Sequence, residues 1–111
     1  EFHQSQPLFV CGGHDKNVYL YDYNSSRKIA TFSGHADYIR TVTFHNLHPL
    51  VLSACDDQTM RLWNFQNKQH VLLLSGHRHY VMCAKFHKEK NLIVSGSLDQ
   101  TIRLWNFDRL V

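Results

Sequence analysis

The sequence restates itself every 42 residues, and this period restricts the fold more than any other feature of the chain. "GHADYIR" at 34–40 returns as "GHRHYVM" at 76–82. Phe2-His3 returns as Phe44-His45 and again as Phe86-His87. Asp15 is followed at the same spacing by Asp57 and Asp99, and Tyr21 by Trp63 and Trp105. The longest match sets "LVLSACDDQTMRLWNF" (50–65) against "LIVSGSLDQTIRLWNF" (92–107), with "LFVCGGHDKNVYLYDY" (8–23) as a looser first copy. No insertion or deletion interrupts these anchors. A unit of this length is one supersecondary structure that cannot bury its apolar face alone and must stack on its neighbours.

Each unit reads as short strands. "LVLSA" and "TMRLW" are apolar or β-favouring runs separated by a polar turn centred on Asp56-Asp57. "YIRTVTF" alternates and is rich in β-branched residues, and "HVLLL" (70–74) is a further run closed by Ser75-Gly76. With the strands of a full unit labelled a to d, the chain reads b-c-d, a-b-c-d, a-b-c, in repeats of roughly 1–33, 34–75 and 76–111. No segment carries a capped helical period. Strands b and c are apolar on both faces, which suits sheets packed between neighbouring sheets, as in a radially arranged propeller. The expected fold is all-β, a partial propeller of about two and a half to three four-stranded antiparallel blades spanning 1–111. A propeller needs four to eight blades, so the chain is expected to be part of a larger one. Its bare end faces are expected to promote association.

With 43% hydrophobic and 19% charged residues, two prolines and five glycines, the composition is globular rather than disordered. The net charge of +3 is unaccompanied by any Lys/Arg run, which argues against a nucleic-acid stripe. No stretch is apolar enough to span a membrane as a helix, no signal peptide opens the chain, and "EFHQSQPLFV" reads like the middle of a protein. Cys11, Cys55 and Cys83 are odd in number and lack C-x-x-C spacing, so they are expected to be buried, inert, reduced thiols of a cytosolic protein.

Gly-His followed by an Asp six residues before a Trp, at this period, resembles the WD40 repeat. The closing Trp-Asp is Trp63-Asn64 and Trp105-Asn106 here, with Tyr21-Asp22 in the first copy, so the dipeptide is nowhere intact. The resemblance implies a structural network in each blade. The His of Gly-His would bond the Asp of the b–c turn and a Ser on strand b, which in turn accepts the Trp indole N–H. The matching residues are His35, Ser53, Asp57 and Trp63, then His77, Ser95, Asp99 and Trp105. The donors and acceptors balance. In the first copy Cys11 and Tyr21 replace Ser and Trp, so its network is expected to be weak or absent. Ser, His and Asp also suggest a hydrolase. Catalysis needs a single exposed nucleophile and an oxyanion hole, however, not one trio per repeat, so the chain is read as no enzyme. His77 and His79 form an H-x-H without further ligands at suitable spacing, and no metal or cofactor is expected.

The d–a loops and b–c turns share one end of a blade. That end gathers Asp37, Tyr38, Tyr80, His14 and Asp56. Asp57 already serves the network, so Asp56 reads as a spare carboxylate. The plain reading of this rim is a solvated loop face. Two carboxylates with two tyrosines would also suit a lysine-bearing ligand, the acids pairing with ammonium groups and the rings packing on the side-chain stems. "GHADYIRTVTFH", "LSACDDQTMRLWNFQ", "GHRHYVMCAKFH" and "VSGSLDQTIRLWNF" together resemble the amino-terminal propeller of the coatomer alpha-subunit family along the whole chain. That resemblance implies recognition of carboxy-terminal dilysine motifs on the cytoplasmic tails of membrane proteins during Golgi-to-ER vesicle transport. It assigns Asp37, Tyr38, Asp56 and Tyr80 to the lysines. His14 stands where an acid is usual, which puts one lysine subsite in doubt. Implied partners are other coatomer subunits, with peripheral attachment to Golgi and COPI vesicle membranes through the coat, in the cytoplasm, without insertion. The alternative is a scaffold propeller that assembles a coat or complex without binding cargo peptides.

Overall fold

The computed structural model describes residues 1–108; positions 109–111, which end the third expected repeat, lie outside the described residues. Ten strands form three antiparallel sheets. β1 (Leu8–Gly12), β2 (Val18–Asp22) and β3 (Arg27–Phe32) make the first; β4 (Ile39–Phe44), β5 (Leu50–Cys55), β6 (Thr59–Asn64) and β7 (Gln69–Ser75) the second; β8 (Val81–Phe86), β9 (Leu92–Ser97) and β10 (Ile102–Asn106) the third. The order within each sheet follows the chain, as the b-c-d, a-b-c-d, a-b-c reading requires. No α-helix occurs among the described residues.

The sheets pack face to face through two cores. Leu8, Val10, Val18 and Leu20 of the first sheet bury against Ile39, Val51 and Trp63 of the second. Leu52, Ala54, Met60 and Leu62, on the second sheet's other face, bury against Val81, Ala84 and Ile93 of the third. Side chains alternate across a strand, so a sheet covered on both sides must be apolar or hydrogen-bonded at every position. β5 is buried throughout, and its one polar side chain, Ser53, is hydrogen-bonded. At the register positions of Leu52, Met60 and Leu62, the third sheet carries Val94, Ile102 and Leu104, which are exposed. The cysteine expectation fails at two of three positions. Cys55 is buried, but Cys11 on β1 and Cys83 on β8 are exposed, because they sit on outer sheet faces that no further sheet covers among the described residues. The exposed Val94, Ile102 and Leu104 make the third sheet's outer face an apolar patch of the kind that promotes association. The 111-residue polypeptide is therefore expected to self-associate, and light scattering that finds a monomer with a cooperative unfolding transition would contradict this.

The recurrent Phe-His pair gains a role that its sequence did not disclose. Nδ1 of His45 accepts the backbone N–H groups of Leu47 and His48, both at 3.0 Å. His3 does the same for Ser5 and Gln6, and His87 for Glu89 and Lys90. Each imidazole thus caps the a–b turn and is fixed as the Nε2–H tautomer. The rings also join sheets. His3 lies edge-on to Phe44 at 4.9 Å and near Phe65 of the second sheet; His45 lies edge-on to Phe86 at 4.9 Å and near Phe107 of the third.

Candidate functional site

At the opposite end of the sheets, the d–a loops carry Gly34-His35 and Gly76-His77. Both glycines have φ near +150°, in the region closed to most side chains. A Cβ on Gly34 would also lie 3.0 Å from the Arg61 guanidinium, and one on Gly76 would lie 2.8 Å from that of Arg103. Each turn drives the following imidazole inward. His35 Nδ1 donates to Asp57 Oδ2 (2.9 Å), His35 Nε2 accepts from Ser53 Oγ (2.6 Å), and Trp63 Nε1 donates to the same hydroxyl (2.9 Å). The third sheet repeats this with His77, Asp99 (2.8 Å), Ser95 (2.7 Å) and Trp105 (2.8 Å). In the first sheet Asp15 bonds Tyr19 and the Asn17 N–H instead, and no such network forms there among the described residues.

Both carboxylates are tightly held. Burial alone would raise the Asp57 carboxyl, but hydrogen bonds from His35, Thr59 and the Ala36 N–H outweigh it and hold the group well below the usual carboxylate range. At Asp99 burial is likewise outweighed, by Thr101, the Arg78 N–H and His77. Ser53 is fully buried and spends its hydroxyl on imidazole and indole, so no substrate reaches it as a nucleophile. Ligand atoms of His35, Cys55 and Asp57 lie within 4.8 Å of one another, close enough to suggest a metal site. Both His nitrogens are already hydrogen-bonded, and burial pushes the Cys55 thiol up to about 12, which opposes the thiolate a metal requires.

The rim beyond these networks brings the other five nominated residues to one end. His14, from the b–c turn of the first sheet, stacks on Tyr38 of the second, with ring centroids 4.2 Å apart and planes inclined by 15°. Asp37 is half-buried, and Tyr38 and Tyr80 are exposed. His79 lies edge-on to Tyr80 at 4.6 Å.

Asp56 is not a spare carboxylate. Arg40 grips it through two bonds, Nε to Oδ1 at 2.7 Å and Nη2 to Oδ2 at 2.6 Å. The Asp56 side chain retains 3% of its exposure against 35% for Arg40, so the guanidinium covers the carboxylate from solvent. The hydrogen bond to Asp56 in turn holds the Arg40 proton more firmly than usual. Arg40 is the rim residue that sequence reasoning missed. It occupies a bulge, since β4 pairs Ile39 with Cys55 and then Thr41 with Ala54. A bulge of this kind re-aims one side chain out of the alternation. A signal was present in the sequence. Across the 42-residue register Arg40 becomes Met82 while Asp56 becomes Leu98, so a charged pair is replaced as a pair by two apolar residues.

The repeat profile described as WD domain, G-beta repeat matches residues 1–22, 26–64 and 68–106. No curated protein matches the chain. WD40-repeat proteins are in general non-catalytic scaffolds, in keeping with two buried serines bonded to indoles. Three matched repeats over most of the chain, sheets stacked face to face, and a His–Ser–Asp–Trp network in two of them lead to one assignment: the chain belongs to the WD40 family and forms part of a protein-interaction propeller.

Proposed function

We propose that the rim carrying His14, Asp37, Tyr38, Asp56 and Tyr80 is a peptide-binding surface for carboxy-terminal dilysine tails of membrane proteins, as in the coatomer alpha-subunit family. The observation that supports the reading is that acidic and aromatic side chains from two successive blades converge at one end, where the His–Ser–Asp–Trp networks use none of Asp37, Tyr38 and Tyr80. Asp37 offers a carboxylate to an ammonium group, and the tyrosine rings offer faces to the methylene stems. The same reading makes the chain a cytoplasmic module held peripherally on Golgi and COPI vesicle membranes by other coatomer subunits.

A second reading has its own support. The pairing of Asp56 with Arg40 takes one of the two carboxylates out of circulation, which favours a scaffold propeller whose rim is merely solvated. Exposed ion pairs contribute about 0–1 kcal/mol each, so peptide affinity must come from several contacts together. Calorimetric titration of a closed propeller carrying these blades separates the two readings. A dilysine peptide is expected to release heat that a diserine control does not. Binding should weaken as salt rises and when the terminal carboxylate is amidated. Equal heats for the two peptides would leave only the scaffold.

A further inference from the structure

We infer that Arg40 is an internal occupant of the rim's cation seat, and that a lysine ligand binds at Asp56 only by exchanging with it. The inference rests on the peptide reading above and identifies the residue that sets its affinity. The seat has a floor, a wall and a lid. The floor is the Asp56 carboxylate, whose backbone N–H is tied to the Tyr38 carbonyl at 2.8 Å. The wall is Tyr80 of the next blade, whose ring centroid lies 5.8 Å from the Arg40 guanidinium carbon. The lid is Arg40 itself, directed there by the β4 bulge. Carboxylate below and aromatic face beside are the two features that would receive a lysine ammonium, and a cation of this chain already holds both.

The exchange is uphill for lysine. A guanidinium matches a carboxylate with two parallel bonds and is weakly hydrated, whereas an ammonium is a compact, strongly hydrated point charge. The seat is therefore open in a minor fraction of molecules, and the apparent Kd exceeds the intrinsic one by the reciprocal of that fraction. In the third sheet Met82 and Leu98 stand at the equivalent positions, so no second seat of this kind exists there.

The test uses a closed propeller carrying these blades, a dilysine peptide, its diserine control, and the variants Arg40→Ala and Asp56→Asn. Arg40→Ala should bind the dilysine peptide at least about fivefold more tightly than wild type, because the closed fraction disappears, while Asp56→Asn should bind it more weakly. Should Arg40→Ala unfold the blade, wild-type protein supplies a second readout. The Arg40 Nε–H signal in NMR should move from its carboxylate-bonded position as dilysine peptide is added, and should stay unmoved with diserine. Dilysine-selective wild-type binding with an unmoved Arg40 signal, or with Arg40→Ala binding no more tightly, would overturn the exchange and leave the peptide reading standing. Absence of dilysine selectivity in both wild type and Arg40→Ala would overturn both.

Discussion

Asp57→Ala is expected to cost the fold about 1–3 kcal/mol, since it removes the carboxylate partner of a buried imidazole donor. The loss reaches beyond one contact. Asp57 holds His35, the Ala36 N–H and the Thr59 N–H at 2.9–3.0 Å, and His35 in turn orients the Ser53 hydroxyl that receives the Trp63 indole. Trp63 lies in the core between the first two sheets. Peptide binding should fall only as far as the blade unfolds. The chain supplies its own control in Asp15→Ala, because Asp15 holds the same register position but bonds only Tyr19 and Asn17 at an exposed turn. Thermal unfolding should therefore separate the two variants clearly. Equal melting temperatures for the two would remove the network as a stabilising unit. The carboxylate also sets an acid limit. The folded protein holds the Asp57 carboxyl below its ordinary value, so the stability it contributes is complete above the unfolded value of about 3.9. It is lost as pH falls from there through the folded value.

The sequence made some of this visible because repetition converts spacing into geometry. Ser53, Asp57 and Trp63 recur as Ser95, Asp99 and Trp105 after the same interval, and a single strand–turn–strand hairpin satisfies both sets. The order β4-β5-β6-β7 followed equally from alternation and turn residues. Asp56 was misread for a physical reason. Two adjacent aspartates carry the same chemistry on paper, and what separates them is the direction of each side chain. That direction depends on a bulge one strand away, which breaks the alternation used to place Arg40. The cysteines were misread because burial belongs to the stacked assembly. Cys11, Cys55 and Cys83 all fall on β-strands, yet only Cys55 lies on a strand covered from both sides. The histidines at 3, 45 and 87 were seen to recur, but capping depends on backbone N–H groups that leave no trace in side-chain pattern.

Two of those histidines, His3 and His45, give the second large effect, a loss of stability on mild acidification well above the aspartate range. His45 must be neutral to accept two N–H groups at Nδ1, and its ring is buried among Phe86 and Phe107 with His48 beside it. Burial, reinforced by the neighbouring His48, lowers its pKa. Burial also lowers that of His3, against an opposing pull from Glu1. With the folded value depressed, the unfolded chain binds the proton more readily. The stability is then complete above the unfolded value of about 6.5 and declines as pH falls from there through the folded value. Protonation would forfeit both capping bonds and place charge at the seam between the second and third sheets. The chain indicates the variant that isolates this effect. Asn64 Oδ1 accepts the N–H groups of Gln66 and Asn67, as His45 Nδ1 does for Leu47 and His48. His45→Asn can therefore keep the cap while removing the titration. Denaturant unfolding from pH 7 to pH 5 should show wild-type stability falling steadily, and His45→Asn, though weakened at pH 7 by lost aromatic packing, should show a flatter profile. Parallel slopes for the two proteins would mean that the seam does not sense protons through His45.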